Sequence, residues 1–220
     1  MILKNINRIL LFIMILSFSN SYCQSNDTDQ VKCKNILQKV SSSFQKNTSS
    51  KFNFKLEINS EDISEIQNGF ALVKGEKYYY KTEEREVISD GVNIWTYLLE
   101  DNECYIDLIA DLDEPINPSE IFTLWESGFK FKYIKKDVFK NELIHTIKMY
   151  PVEPDKSKYH TIVMKVNESL NTIVQASIKT KDGVTIKTTV MSMIGNPNLN
   201  DNQFTWKIND YPNVDEIDNR

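Results

Sequence analysis

The residues able to do chemistry are few and scattered. His145 and His160 are the two histidines of the 220-residue chain. Each sits inside an alternating run with no neighbour at the spacing of a zinc site, so both read as surface or interstrand side chains and no metal ligand is assigned. Residues 111–115, "DLDEP", gather carboxylates but read as a solvated loop rather than a calcium site. In "YYY", Tyr78 to Tyr80, the middle ring points away from its neighbours, which suits cross-strand packing better than stacking on a sugar. "NTS" at Asn47 and "NES" at Asn167 match glycosylation acceptors, in a chain rich enough in Asn, Ser and Thr for such triplets to arise by chance. No G-x-S-x-G elbow, P-loop or paired-carboxylate signature occurs. No catalytic residue and no cofactor site is assigned, and an enzyme is not expected.

The elements must therefore explain the chain. Its first 23 residues are expected to be a signal peptide: Lys4 and Arg8 form a basic start, residues 9–18 are an apolar run too short to span a bilayer, and "SNSYCQ" offers a cut before Gln24. Tyr22 precedes Cys23 where a lipid-anchored signal has a small residue, so a soluble exported protein is expected. Residues 24–220 are enough for a single domain with a sizeable core. Without Lys4 and Arg8, 24 basic side chains face 31 acidic ones, a net charge near −7. Phosphate backbones and anionic membrane surfaces attract the opposite sign, which argues against nucleic acid and non-specific membrane partners. Cys33 and Cys104 remain after the cut. An oxidising compartment allows one disulfide, burial allows two free thiols, and spacing leaves both readings open.

Cys33, Ile36, Leu37, Val40 and Phe44 fall on one helical face, with Asp27 or Asp29 placed to cap the start and residues 24–30 expected to fray. From Lys51 the period becomes two: Phe52, Phe54, Leu56 and Ile58 share one face, and Lys51, Asn53, Lys55, Glu57 and Asn59 the other. Similar runs recur at about 66–73, 77–81, 85–89, 92–99, 103–108, 129–134, 143–150, 159–166, 171–180, 184–193 and 203–208. So many short strands with tight turns and hardly any helix predict one antiparallel sheet curled into a barrel, or a sandwich. One short helix interrupts them over 118–127. Asn117 is its cap, Pro118 its first residue and Gly128 its end, and Ile121, Phe122, Leu124 and Trp125 form a broad apolar face. A helix this short is marginal alone, so it must rest on a hydrophobic surface, which it is expected to leave at modest cost.

"SDGVNIWTY", residues 89–97, asks why both faces of a strand should be apolar. A two-residue turn at Asp90-Gly91 would set Val87 opposite Ile94 and Glu86 opposite Trp95. One face, Val87 with Ile94 and Leu98, is then dry. The other carries Trp95 and Tyr97 over the stems of Glu84 and Glu86, half covered. Nearly every strand has a dry face, and two amphipathic helices add more. Either the helices plug the barrel, which composition favours, or they cover a cavity that accepts an apolar ligand.

"NGFALVKGEKYYY", "VISDGVNIWTYLLEDNECYI" and the closing "FTWKINDYPNVDEID" resemble the outer-membrane lipoprotein carrier (LolA) family of Gram-negative bacteria. That family shows a glycine-led strand ending in a basic residue, a serine-aspartate-glycine hairpin leading into a tryptophan and tyrosine strand, and a terminal Phe-x-aromatic strand before a proline turn and an acidic tail. The region from "TIKMYPVEP" to the turn at Asp182-Gly183 also fits, so the resemblance spans nearly all of residues 24–220. It implies a mainly β fold with a few helices: a curved, half-open antiparallel barrel of about 11–12 strands, with helices covering the concave face. It implies a periplasmic carrier, expected as a monomer, that shields the acyl chains of lipoproteins and shuttles them from inner to outer membrane. An inner-membrane lipoprotein-releasing transporter would be the donor and an outer-membrane protein the acceptor. It makes Phe52, Phe54, Leu56, Ile58, Val87 and Ile94 of the sheet, and Ile121, Phe122, Leu124 and Trp125 of the cover, the candidate acyl contacts. The alternative within the same fold is a lipid- or lipoprotein-binding sensor that does not transfer its ligand. The family often has Lys-Arg-Pro, with a lid-latching arginine, where this chain reads Lys74-Gly75-Glu76, so no latch residue carries across.

Overall fold

The computed structural model describes residues 24–62, 64–112 and 118–220; the expected signal peptide and the expected cap at Asn117 lie outside them. Helix α1 (Gln24–Gln45) comes first. Strands β1 (Ser50–Asn59), β2 (Ser64–Lys74), β3 (Lys77–Lys81), β4 (Arg85–Ser89), β5 (Asn93–Leu98) and β6 (Glu103–Leu108) form one antiparallel meander. Strands β7 (Phe129–Phe139), β8 (Glu142–Pro151), β9 (Tyr159–Asn167), β10 (Thr172–Thr180) and β11 (Thr185–Gly195) form a second. β1 pairs with β11 and fuses them, and β12 (Asp215–Asp218) joins β6 in parallel. The result is one twelve-stranded sheet, ordered β12-β6-β5-β4-β3-β2-β1-β11-β10-β9-β8-β7, that does not close on itself. It is the curved, half-open barrel that the family resemblance implied, and of the two architectures the strand pattern allowed it is the barrel and not the sandwich.

Connectivity dictates what lies in the mouth. β6 stands beside one edge of the sheet and β7 is the other edge, and the part of their connection at Phe122 and Trp125 lies on the inner side, packed into the core cluster. That connection is the segment read as a lid. α1 occupies the same concave side, packed mainly on β7 with fewer contacts to β9 and β10.

Alternation puts the inner residues of the first meander in register: Phe52 opposite Ala71, Ala71 opposite Tyr80, Tyr80 opposite Val87, and Ser89 between Tyr78 and Ile94. In the second meander Phe131 faces Met149 and Met149 faces Ile162, while Ile147 faces Met164. These residues, with Cys33, Leu37 and Val40 of α1, make one core cluster. A smaller cluster lies on the convex side: Ile88, Trp95, Cys104 and Ile106, covered by Trp206 and Val214 of the C-terminal segment. This explains the two apolar faces of residues 93–98: the inner one belongs to the core and the outer one lies under the chain's own C-terminus.

Four expectations change. α1 starts at Gln24, so Asp27 and Asp29 lie inside it rather than capping it. The 118–127 helix is two 3-10 turns, Glu120–Phe122 and Leu124–Glu126, broken at Thr123 (φ −123°, ψ −15°). The strand expected at 203–208 is absent: a 3-10 turn covers Asp201–Phe204, and the last strand is instead the acidic Asp215–Asp218. Finally, Asp90-Gly91 is not a two-residue turn. Ser89 faces Ile94, Val87 faces Thr96 and Glu86 faces Tyr97, because Asp90 Oδ1 accepts from the backbone N–H groups of Val92 (2.9 Å) and Asn93 (2.7 Å) and draws both into the loop. The slip is two residues, so every side chain keeps its face.

Candidate functional site

The concave wall and its cover bring the ten candidate acyl contacts to one side of the sheet. Phe52 (5% exposed), Val87 (3%) and Ile94 (5%) are buried in the wall, and Phe122 (1%) and Trp125 (5%) are buried above it. Phe54, Ile121 and Leu124 are half-buried against the same cluster. Leu56 and Ile58 share the inner face with Thr188 and Ile186 of β11, but they lie beyond the core cluster and remain partly open to solvent. The wall thus has a covered half and an uncovered half.

In the covered half the cover's own side chains occupy the hollow. The Phe122 ring stacks on Phe44 of α1 (centroids 4.1 Å, 8° between planes) and meets Phe52 edge-on at 6.1 Å. Trp125 lies edge-on to Phe131 at 6.5 Å. Phe54 is laid along the wall over Gly69, where a Cβ would come within 2.6 Å of the ring, so glycine is what lets that ring lie flat.

The cover is held by α1. Ser41, fully buried, donates to the Phe122 carbonyl (2.7 Å), and the Trp125 indole N–H reaches both Ser41 Oγ (2.8 Å) and that carbonyl (3.1 Å). Lys74, in the stretch where the resembling family has its latch, turns to the opposite side: its Nζ bonds Asp201 (2.6 Å) and the Leu199 carbonyl (3.1 Å), and Lys77 joins the same carboxylate at 2.9 Å. Those two lysines hold Asp201 well below the usual carboxylate range, at about 2. The sequence contains the lid's apolar pattern and the helix face of Phe44; Ser41, four residues after Leu37 and three before Phe44, falls on that face by spacing, but its type gives no sign of the partners it meets there.

The remaining candidates for chemistry stay apart. His145 Nδ1 contacts the Tyr133 hydroxyl (2.8 Å) and its Nε2 lies 3.7 Å from Glu168; burial pulls its pKa down against the opposing pull of Glu168. His160 is exposed at the other end of β9. Cys33 and Cys104 are free thiols on opposite sides of the sheet, each pushed up to about 12 chiefly by burial. Among the described residues no cluster of His, Cys, Asp or Glu could hold a metal, and no helix is long and apolar enough to cross a membrane. A groove of about 670 Å³ between α1 and β8–β9, lined by Lys32, Lys39, His145 and Glu168 among others, contains none of the ten acyl candidates.

No family model matches the chain, and no curated protein matches it in sequence. Solved structures do. An uncharacterized conserved protein from Thermus thermophilus is 8% identical and superposes with a TM-score of 0.57 over 85% of this chain and 99% of that one. LprF from Mycobacterium bovis is 11% identical (TM-score 0.48; 76% and 96% covered), and the LolA superfamily protein NE2245 from Nitrosomonas europaea 13% identical (TM-score 0.40; 79% and 97%). The first shares the fold; at TM-scores below 0.5 the other two add nothing to it.

Proposed function

We propose that this chain is a non-catalytic periplasmic carrier that takes the acyl chains of lipoproteins between its concave wall and its cover. The observation that carries this reading is the buried contact of Phe122 and Trp125 with apolar side chains of the wall, Phe52 and Phe131 among them. The segment that makes it is two 3-10 turns, without the cooperative backbone of a long helix. The sequence resemblance and the half-open fold agree with it, and the uncovered half at Leu56 and Ile58 provides a point of entry. Signal-peptide export and loading by an inner-membrane transporter, with delivery to an outer-membrane acceptor, belong to the same proposal.

Magnitudes decide what the cargo must be. Lifting Phe122 and Trp125 exposes two large side chains, on the order of 6 kcal/mol at up to about 3 kcal/mol each. This exceeds the modest cost expected of a marginal helix. An inserted chain gains about 0.8 kcal/mol per CH₂, so about eight methylenes balance the opening and a sixteen-carbon chain exceeds it by roughly 6 kcal/mol. The reading therefore predicts a chain-length threshold. Titrated with fluorescent fatty acids, the protein should bind sixteen-carbon probes and barely register eight-carbon ones. Phe122→Asp or Leu124→Asp should weaken the long probe's binding by at least tenfold with the sheet's circular dichroism unchanged. Unaltered affinity in both variants would remove the cover from the site.

A further inference from the structure

Two tyrosines, Tyr78 and Tyr80, stand on the inner face of β3, opposite Ser89 and Val87 of β4. Tyr78 is 2% exposed, a member of the core cluster, and its hydroxyl is buried with no hydrogen-bond partner among the described residues. Tyr80, two residues on and on the same inner face, is half-buried against that cluster. The nearby Ser89 hydroxyl is engaged in its own hairpin: it donates to the Asn93 carbonyl (3.0 Å) and accepts from the Gly91 N–H (3.1 Å). Burial pushes the Tyr78 hydroxyl up to about 12, with smaller upward effects from Tyr80 and from Glu120 of the cover and a small downward one from Ser89. It is therefore a neutral donor at any physiological pH.

A phenylalanine in place of Tyr78 would fill the same space at less cost. A buried donor left unpaired costs about 1–3 kcal/mol, whereas an apolar group of the same shape costs nothing of the kind. Small-molecule sites in apolar pockets typically hold a few placed polar groups that fix orientation. Residues i and i+2 of a strand stand roughly 6–7 Å apart on one face, the scale on which a diacyl headgroup presents its two carbonyls.

We propose that Tyr78 and Tyr80 are donors to the ester carbonyls of a diacylated ligand, so that the site reads the acyl linkage as well as chain length. This rests on the carrier reading and adds a specificity to it. With the cover in place Tyr78 is closed off and unpaired; with the cover lifted, a carbonyl entering beside it satisfies the hydroxyl.

The test compares two synthetic peptides, one carrying an N-terminal S-(2,3-bis(palmitoyloxy)propyl)cysteine and the other its dialkyl ether, which keeps the chains and lacks the carbonyls. Titrated into the whole protein by calorimetry, the ester should bind about tenfold tighter than the ether. Tyr78→Phe should remove most of that preference, and its ligand-free Tm should equal or exceed that of the wild type. Tyr80→Phe should reduce the preference in part. Equal binding of ester and ether to the wild type overturns the donor role and leaves the carrier reading standing, whatever the variants do. Failure of both peptides to bind overturns the carrier reading and this inference with it.

Discussion

The hydroxyl of Ser41 makes two hydrogen bonds at full burial, to the Phe122 carbonyl and from the Trp125 indole. It is a polar contact by which α1 holds the cover. Deleting it leaves the Phe122 carbonyl the indole alone as donor, so Ser41→Ala should weaken closure by about 1 kcal/mol, roughly a fivefold larger open population. Amide hydrogen exchange over residues 119–126 should accelerate by that factor while amides in β8 and β9 are unchanged. Uniform acceleration would mean that Ser41 supports the whole fold and not the cover. Spacing puts Ser41 on the buried face with Leu37 and Phe44, but a helical serine is ordinarily solvated and its type points to no partner. Only the tertiary arrangement of Phe122 and Trp125 gives it a partner. Phe44 and Val40, by contrast, were legible, since spacing and apolar type agree in placing them on the buried face.

At the scale of elements, sequence periodicity reported which residues are buried better than which backbone groups pair. Phe204, Trp206 and Ile208 alternate as a strand would, and Phe204 is fully buried. Yet the segment meets the convex face through side chains while its backbone forms 3-10 turns. Period two is satisfied by a strap that presses Phe204 and Trp206 onto a surface while Ile208 stays 47% exposed, so the pattern could not separate a strand from a strap. What holds this strap is Glu86, 7% exposed, which accepts from Tyr211 (2.9 Å) and Tyr79 (3.0 Å) and pairs with Lys81. Burial pushes that carboxyl up, but the three donors together outweigh it and hold the pKa below the ordinary glutamate value. A carboxyl depressed in the folded state contributes stability that is present above its unfolded pKa and lost as pH falls through the folded one. Acidification below about pH 4 should therefore loosen the strap. Fluorescence of Trp95 and Trp206 should then shift toward that of exposed indole before the sheet melts, and Glu86→Gln should remove that early transition. An unchanged acid profile in the variant would mean that the stacked rings of Trp206 and Tyr211 (4.0 Å) hold the strap without the carboxylate.

Across the whole molecule, the open sheet and the crossing segment are one design. In this twelve-stranded sheet the consecutive strands β6 and β7 lie toward opposite edges, and residues of their connection, Phe122 and Trp125, pack on the inner face. The cover is thus built into the chain order rather than added to it. Its inner side chains fill the hollow they guard, so a ligand and the cover compete for the same wall. Apparent affinity is then the intrinsic affinity reduced by the fraction of molecules that are open. This gives a linkage with no adjustable term. If Ser41→Ala raises the open population about fivefold, the apparent Kd for a sixteen-carbon probe must fall by the same factor. The association rate should rise in proportion, because loading waits on opening. The direction is opposite to that of Leu124→Asp, which opens the cover but spoils the surface the chain would touch. Measuring exchange over residues 119–126 and probe affinity on one Ser41→Ala sample decides the matter. Matching factors tie the hollow to the cover. Faster exchange with unchanged affinity would mean that acyl chains bind elsewhere, at the uncovered strip of Leu56 and Ile58, and that the segment spanning the mouth is a structural plug.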